Sequence, residues 1–308
     1  TYFSYANTTA KGIVDSNKLR KHNLTLRESA SLFNDRLKLD ANANLMVQTI
    51  KNSPTSGGIY LNPLVDVYGF PRGQDLSEYA TNFEKFDENR NMPVQSWFTT
   101  PSEWTQNPYW VKNRILNNNK RYRALASLTA NLKATDWLNL QARGNVDYVS
   151  DKFDQKMYAS TAIVGNNGRY VYADTQNFLI YGDVMAMFNK HFGDFSVNAA
   201  LGGSINVQTE NSLTLDSKTA SLYKPNLFTV PNIVMNTSAS AEQVIDRRRT
   251  IQSVFATAQV GWKDALFLDL TARNDWSSTL SHTNSMDKGF FYPSVGLSWV
   301  INESFKLP

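Results

Sequence analysis

The chain contains no cysteine, which excludes a disulfide framework and any thiolate-ligated metal. Histidine is almost as scarce. His22, His191 and His282 are the whole supply, and they lack the short spacings of a metal-ligand set. Long apolar runs are missing as well. No stretch approaches the roughly 18 consecutive apolar residues of a membrane-crossing helix, and the mean hydropathy is -0.41. That absence leaves strand-based crossing open, because a transmembrane barrel carries its apolar side in every second residue. Charge of one sign is not concentrated either. A net +4 is scattered over 308 residues, without the basic stripe of a nucleic-acid site. No Gly-rich phosphate loop follows a strand, and no Ser/His/Asp arrangement stands out. Asp269 and Asp275 are the nearest approach to a glycosidase pair. Six residues of strand put them roughly 20 Å apart, whereas such carboxylates lie within about 10 Å. No metal, cofactor or catalytic activity is therefore expected. The chain opens on Thr1 with neither Met nor signal peptide and reads as a mature or excised piece.

What is present is alternation. Leu138, Leu140, Ala142, Gly144, Val146 and Tyr148 are apolar or small, and Asn139, Gln141, Arg143, Asn145 and Asp147 between them are polar. Successive strand side chains point to opposite faces, so this segment has one greasy face and one wet face. The pattern recurs over 37–48, 121–133, 195–208, 253–262, 266–273 and 291–302, and more noisily over 1–12, 21–33 and 176–191. Glu28 intrudes on an apolar face, and Met185 and Met187 on a polar one. About ten strands result.

The connections alternate too. Short ones are expected near 34–36, 135–137, 193–194 and 263–264, and long ones over about 53–119, 159–175, 209–245 and 280–289. In an up-and-down meander this puts tight turns at one end of the sheet and elaborate loops at the other, as in outer-membrane barrels. A soluble antiparallel sandwich also alternates and stays open as the alternative. The length of the strands weighs against it, since soluble strands usually run about five or six residues. So do a polar face rich in Asn, Ser, Thr, Gln and Arg, and the aromatics at strand ends: Tyr122, Trp137, Tyr148, Phe192, Phe195, Trp262 and Trp299. Asn139, Gln141, Arg143, Asn198, Asn206 and Arg273 are the expected lumen-facing positions.

The connection 53–119 is too long to be featureless. Leu76, Tyr79, Ala80 and Phe83 share helical spacing, which predicts a short amphipathic helix across 75–88, capped by Asp75, with Glu78, Glu84, Asp87 and Glu88 wet. Trp97, Trp104, Tyr109 and Trp110 in this loop are candidate ligand or partner contacts, flat enough to stack on sugars or grip peptide side chains. Packing within the loop is the competing role. Arg247, Arg248 and Arg249 form the single basic cluster, placed where a long loop enters a strand. They are candidates for an anionic ligand.

Several stretches resemble SusC/RagA-type TonB-linked outer-membrane transporters of Bacteroidetes. The run from Leu266 to Leu280 contains Arg273-Asn274-Asp275-Trp276-Ser277-Ser278, followed on the next strand by Tyr292-Pro293-Ser294. Tyr2 to Ile13 with Arg20-Lys21-His22-Asn23-Leu24 is similar to a barrel hairpin of that family. Gln106-Asn107-Pro108-Tyr109-Trp110, with Asn113-Arg114 and Lys120-Arg121, is similar to its lead into a later strand. The resemblance implies an all-β antiparallel barrel of about 22 strands with a plugged lumen, and hence that residues 1–308 are part of one transmembrane domain. The plug and the remaining strands are expected elsewhere in the natural polypeptide, because raw sheet edges in lipid are very costly. It further implies TonB-dependent import across the outer membrane, with a SusD-like surface lipoprotein as lid, the TonB complex as energy source, and an oligosaccharide as the expected cargo. An oligopeptide cargo, a passive porin-like barrel and a soluble glycan-binding module are the alternatives.

Overall fold

The computed structural model describes residues 1–53, 61–281, 283 and 289–305. His282 lies outside them. Ten strands form one antiparallel sheet: β1 (Tyr2–Lys11), β2 (Lys18–Leu32), β3 (Leu37–Lys51), β6 (Ile115–Lys133), β7 (Leu138–Met157), β8 (Arg169–Phe192), β9 (Phe195–Asp216), β10 (Ser240–Trp262), β11 (Leu266–Ser277) and β12 (Phe290–Trp299). Each pairs with its neighbour in sequence, so the sheet is an uninterrupted meander, open at β1 and β12. The expected ten strands and their order are borne out.

The tight ends are made by turn chemistry. Asn34 and Asp35, like Phe33 before them, adopt positive φ between β2 and β3, as do Lys263 and Asp264 between β10 and β11. The φ of +60° at Gly193 lets β8 fold back onto β9, a conformation that a residue without Cβ adopts freely. The opposite end carries the connections 12–17, 52–114, 158–168, 217–239 and 278–289.

Two loops are shorter than the sequence predicts, because β8, β9 and β10 run well past the alternating region. There the strands leave the apolar belt and are covered in part by loop residues, as where Tyr170, Tyr172 and Leu215 pack with Leu222 and Ile233, and regular alternation no longer marks pairing. The long connection holds α1 (Pro63–Tyr68), α2 (Leu76–Thr81), a hairpin of β4 (Glu84–Asp87) with β5 (Met92–Gln95), and α3 (Pro108–Arg114). The helix predicted over 75–88 is therefore half right. Asp75 caps α2, accepting from the Ser77 N–H at 2.8 Å. The helix stops at Thr81, and Glu84 to Asp87 are recruited into the hairpin.

The sheet has no soluble-style core between its two faces. Val184, Leu201, Val295 and Leu297 stand 60 to 72% exposed on the apolar face. Fully enclosed apolar clusters occur at the long-loop end: Met92 with Val94 and Ala159, Val111 with Ile115 and Met157, and Tyr170 with Leu222 and Ile233.

The apolar face is bounded by aromatics. Near the tight turns, Trp137 packs on Phe188 with centroids 5.3 Å apart, and Phe192, Phe195, Trp262 and Trp299 share that face. Toward the loops, Tyr148 meets Phe178 at 6.5 Å. From Phe188 to Phe178 is ten positions of β8, about 34 Å of strand, or about 26 Å of height at a tilt near 40°. This matches the apolar belt of an outer-membrane barrel. No helix among the described residues is long and apolar enough to cross a membrane.

Candidate functional site

Directly opposed residues of paired strands point to the same face, so the registers trace rows across the wall. One row runs Ser29, Asp40, Thr129, Arg143, Asp183, Ser204, Ser253 and Asp275. All are polar, and the apolar row beside it passes through Val184 and Val254 on the opposite face. The polar face is cross-linked by ion pairs between adjacent strands. Arg143 Nε donates to both Asp183 oxygens at 3.1 and 3.0 Å. Arg123 and Arg121 grip Asp147 and Asp151 with two bonds each, at 2.6 to 2.8 Å. Arg273 donates to Asp275 of its own strand at 2.7 Å and crosses to the Ser253 hydroxyl of β10 at 2.8 Å. Arg forks fit carboxylates in two-bond geometry, which fixes orientation as well as charge.

The six positions proposed for the lumen, Asn139, Gln141, Arg143, Asn198, Asn206 and Arg273, share this polar face by register. Gln141 donates to Asn131 at 2.7 Å. Asp269 and Asp275 lie on the same face and are engaged with Gln259 and Arg273. The two methionines that broke the pattern, Met185 and Met187, stand opposite Gly202 and Ala200. At Gly202 an added Cβ would lie 2.6 Å from the Phe255 ring. Phe255 thus lies across Gly202, with the Arg273 guanidinium 5.6 Å from its centroid.

The basic cluster comes apart. Arg247 to Arg249 lie inside β10 and not at a loop junction, after a bulge at 245–246 where Asp246 takes a φ of +50°. Period two then sends Arg247 and Arg249 to the polar face and Arg248 to the other, in the row of Thr209, Phe178 and Tyr148. Arg247 is paired with Glu210 at 2.6 Å. Three consecutive cations on a strand do not make one site.

The loop end is built around the segment Gln106 to Trp110. Asn107 caps α3 by accepting from the Tyr109 N–H at 2.8 Å, and its amide donates to the Tyr79 and Ser96 carbonyls at 3.1 and 2.9 Å. Pro108 follows at the first helical position, where its missing N–H costs nothing. The Gln106 N–H donates to Asp66 at 2.8 Å, and its side-chain oxygen accepts from Ala162 N–H at 2.9 Å. Gln95 donates to Gln106 and to the Ser160 carbonyl. Trp110 is wholly buried, its indole N–H on Thr161 at 2.9 Å. At the far end of α3, Arg114 grips Glu84 with two 2.8 Å bonds and lies about 5 Å from the Phe83 and Tyr158 ring centres. Glu84, expected on a wet helix face, is therefore a clasp between α3 and the hairpin.

Of the loop aromatics, Trp110 is interior packing. Trp97 is half-buried against Phe70, Tyr79 and Phe98, and it donates to Thr105 at 2.9 Å. Tyr109 is half-buried, and Trp104 is 65% exposed. The hub residues Asp66, Gln95, Gln106 and Asn107 escape a reading by polarity, since buried amides and carboxylates resemble surface ones in sequence. The Asn-Pro pair at 107–108 is the signal that marks the cap.

Two tests follow. Asn107→Ala removes the cap and strands two carbonyls, at a cost of about 2 kcal/mol of local stability. Limited proteolysis is expected to cleave within 61–115 severalfold faster, with the strands untouched. Unchanged cleavage would refute the hub. Asp66 gives a pH signature. Burial pushes its carboxyl from 3.8 up to about 6, opposed in part by the bond from Gln106. Its folded pKa is raised, so its contribution to stability is complete below about 4 and is lost as pH rises through 6. The loop of the natural protein is expected to resist protease better at pH 5 than at pH 7.5. Asp66→Asn, which keeps the acceptor, is expected to abolish that difference. A pH difference that persists in the variant would acquit Asp66.

Among the described residues no group of His, Asp and Glu is placed to hold a metal. A comparison with curated proteins gives no match. Among solved structures, the RagAB peptide transporter aligns over 94% of this chain and 31% of its own, at 16% identity and a TM-score of 0.65. The RagAB peptide importer in its closed-closed state aligns over 98% and 32%, at 15% identity and 0.67. The ferric-catecholate import receptor Fiu from E. coli K12, in its closed form, aligns over 97% and 42%, at 10% and 0.51. The chain spans about a third of the length of the RagAB transporter chains. These likenesses carry the fold of an outer-membrane barrel, and the open sheet is a section of its wall. The family model for the TonB dependent receptor-like β-barrel matches residues 49–307, and the chain belongs to that family of outer-membrane β-barrels.

Proposed function

We propose that this chain forms part of the wall and outer mouth of an energised importer for a large oligomeric nutrient, with oligopeptide as cargo. The observation that carries the reading is the loop hub. Segments from three long connections meet on buried polar residues at one end of a two-faced wall, which gives a receptor platform above a polar passage. In this reading Asn139, Gln141, Arg143, Asn198, Asn206 and Arg273 face the lumen and a plug supplied by the same natural polypeptide. A SusD-like surface lipoprotein covers the loops, and the TonB complex supplies work from the periplasm.

The cargo preference differs from the expectation drawn from sequence. The aromatics that favoured sugar are largely spent on packing, as Trp97 and Trp110 illustrate. Likeness to a structure described as a peptide importer supports the same direction. Oligosaccharide remains the second reading, on the strength of exposed Trp104 together with Tyr68 and Tyr223.

The test is growth of a strain lacking the gene on defined oligopeptides and on glycans, with and without a protonophore in uptake assays. A defect on peptides and protonophore-sensitive uptake are expected. Normal peptide growth with a glycan defect would reverse the cargo, and uptake indifferent to the protonophore would point to a passive pore.

A further inference from the structure

A second charged surface lies on the other side of the wall. On the apolar face, the row His22, Val47 and Tyr122 marks the upper aromatic level over β2, β3 and β6. The next row toward the loops is Thr9, Arg20, Thr49 and Lys120, and beyond it come Lys11, Lys18 and Lys51. The registers have no shift in these strands, so all these residues keep the parity of the lipid-facing side chains Leu24, Leu26 and Leu45. Lys11, Lys18, Arg20, Lys51 and Lys120 line one recess of about 530 Å³. All five are exposed.

Among the described residues none of the five is ion-paired, whereas Arg121, Arg123, Arg143, Arg247 and Arg273 on the polar face each hold a carboxylate. Like charges crowded this closely repel, and five unpaired cations in one recess call for an anion. Depth identifies its source. Each row is two residues, about 7 Å of strand, hence about 5 Å of height. The cations therefore stand about 5 to 10 Å above the aromatic level, in the headgroup layer that flanks the hydrocarbon. Just below them Val47, Tyr122 and Leu45 are 41 to 51% exposed toward lipid. An occupant must carry negative charge above acyl chains.

We propose that this recess binds the phosphate-bearing headgroup of an outer-leaflet lipid, with Lys11, Lys18, Arg20, Lys51 and Lys120 as its ligands and the apolar strip beneath as the seat of its acyl chains. It is separate from the cargo path, which runs along the opposite face.

The test uses the full-length protein purified in detergent, with bound lipid read by native mass spectrometry. The probes are a bisphosphorylated glucosamine-disaccharide lipid and its dephosphorylated counterpart. Wild type is expected to retain the first and release the second. The triple variant K18Q/R20Q/K51Q is expected to lose roughly a hundredfold in affinity. K21Q/K38Q/R249Q, which removes equal charge from the polar face, is expected to bind as wild type. Heat-modifiable migration on gels checks that each variant is folded. Equal retention of both lipids by wild type would overturn the proposal without recourse to any variant. So would unchanged binding by the first triple, or displacement of the lipid by inorganic phosphate at equal concentration, which would mark a free-anion site.

Discussion

Replacing Arg143 by methionine is expected to cost the barrel about 3–5 kcal/mol, and replacing its partner Asp183 by asparagine only about 1. The asymmetry follows from burial. The Asp183 side chain has no exposed surface, while that of Arg143 is 47% exposed. Loss of the guanidinium leaves a carboxylate shut in with no cation. Loss of the carboxylate leaves a guanidinium that water can reach. The double variant R143M/D183N removes both charges, and its stability is expected to recover most of the deficit. The measurement is urea titration of the full-length protein in lipid vesicles, with the two singles and the double forming a cycle. Equal costs for the two singles would remove the basis of the argument.

The second large effect concerns the face that lipid covers. Leu201 is 60% exposed and lies near the middle of the belt, between Phe195 and Thr209 of β9. Leu201→Arg is expected to destabilise by about 2–4 kcal/mol, and Phe195→Arg, at the interface, by about 0–1 from charge alone. Ala200→Arg, one residue away on the polar face, is expected to be tolerated, because its neighbours Met187 and Thr257 share that face, away from lipid. A water-soluble sandwich gives no such gradient with depth. Equal penalties at Leu201 and Phe195 would therefore argue for a dry protein core in place of a bilayer.

The strand positions were legible where lipid meets one face and water the other, since only there does the sequence carry a period of two. Leu138 to Tyr148 is such a stretch. Above the upper aromatics the rule lapses. Thr209 to Asn211 remain strand in β9 with no apolar residue to announce them, and the two that follow, Leu213 and Leu215, are too few to set a period; Leu215 packs against the loop cluster of Tyr170, Leu222 and Ile233. The loop hub was illegible for another reason. Gln95, Gln106 and Asp66 are enclosed by contacts from segments up to 65 residues away, and nothing local distinguishes them from surface polar residues. The arginines at 247–249 do not form one site, because neighbours along a strand point to opposite faces.

The arrangement of connections also sets an order in time. Every strand pairs with its sequence neighbour, so each tight turn closes a hairpin from local chain, and the wall can grow one hairpin at a time. The hub cannot form that way. Trp110 waits for Thr161, and Asn167 waits for Ser221 and Leu222 beyond β9. The first latch therefore waits for β6 and β7, and the second for β8 and β9. Until its two strands are in place each loop is open above a wall already paired beneath it, and that is the stage at which it is open to protease.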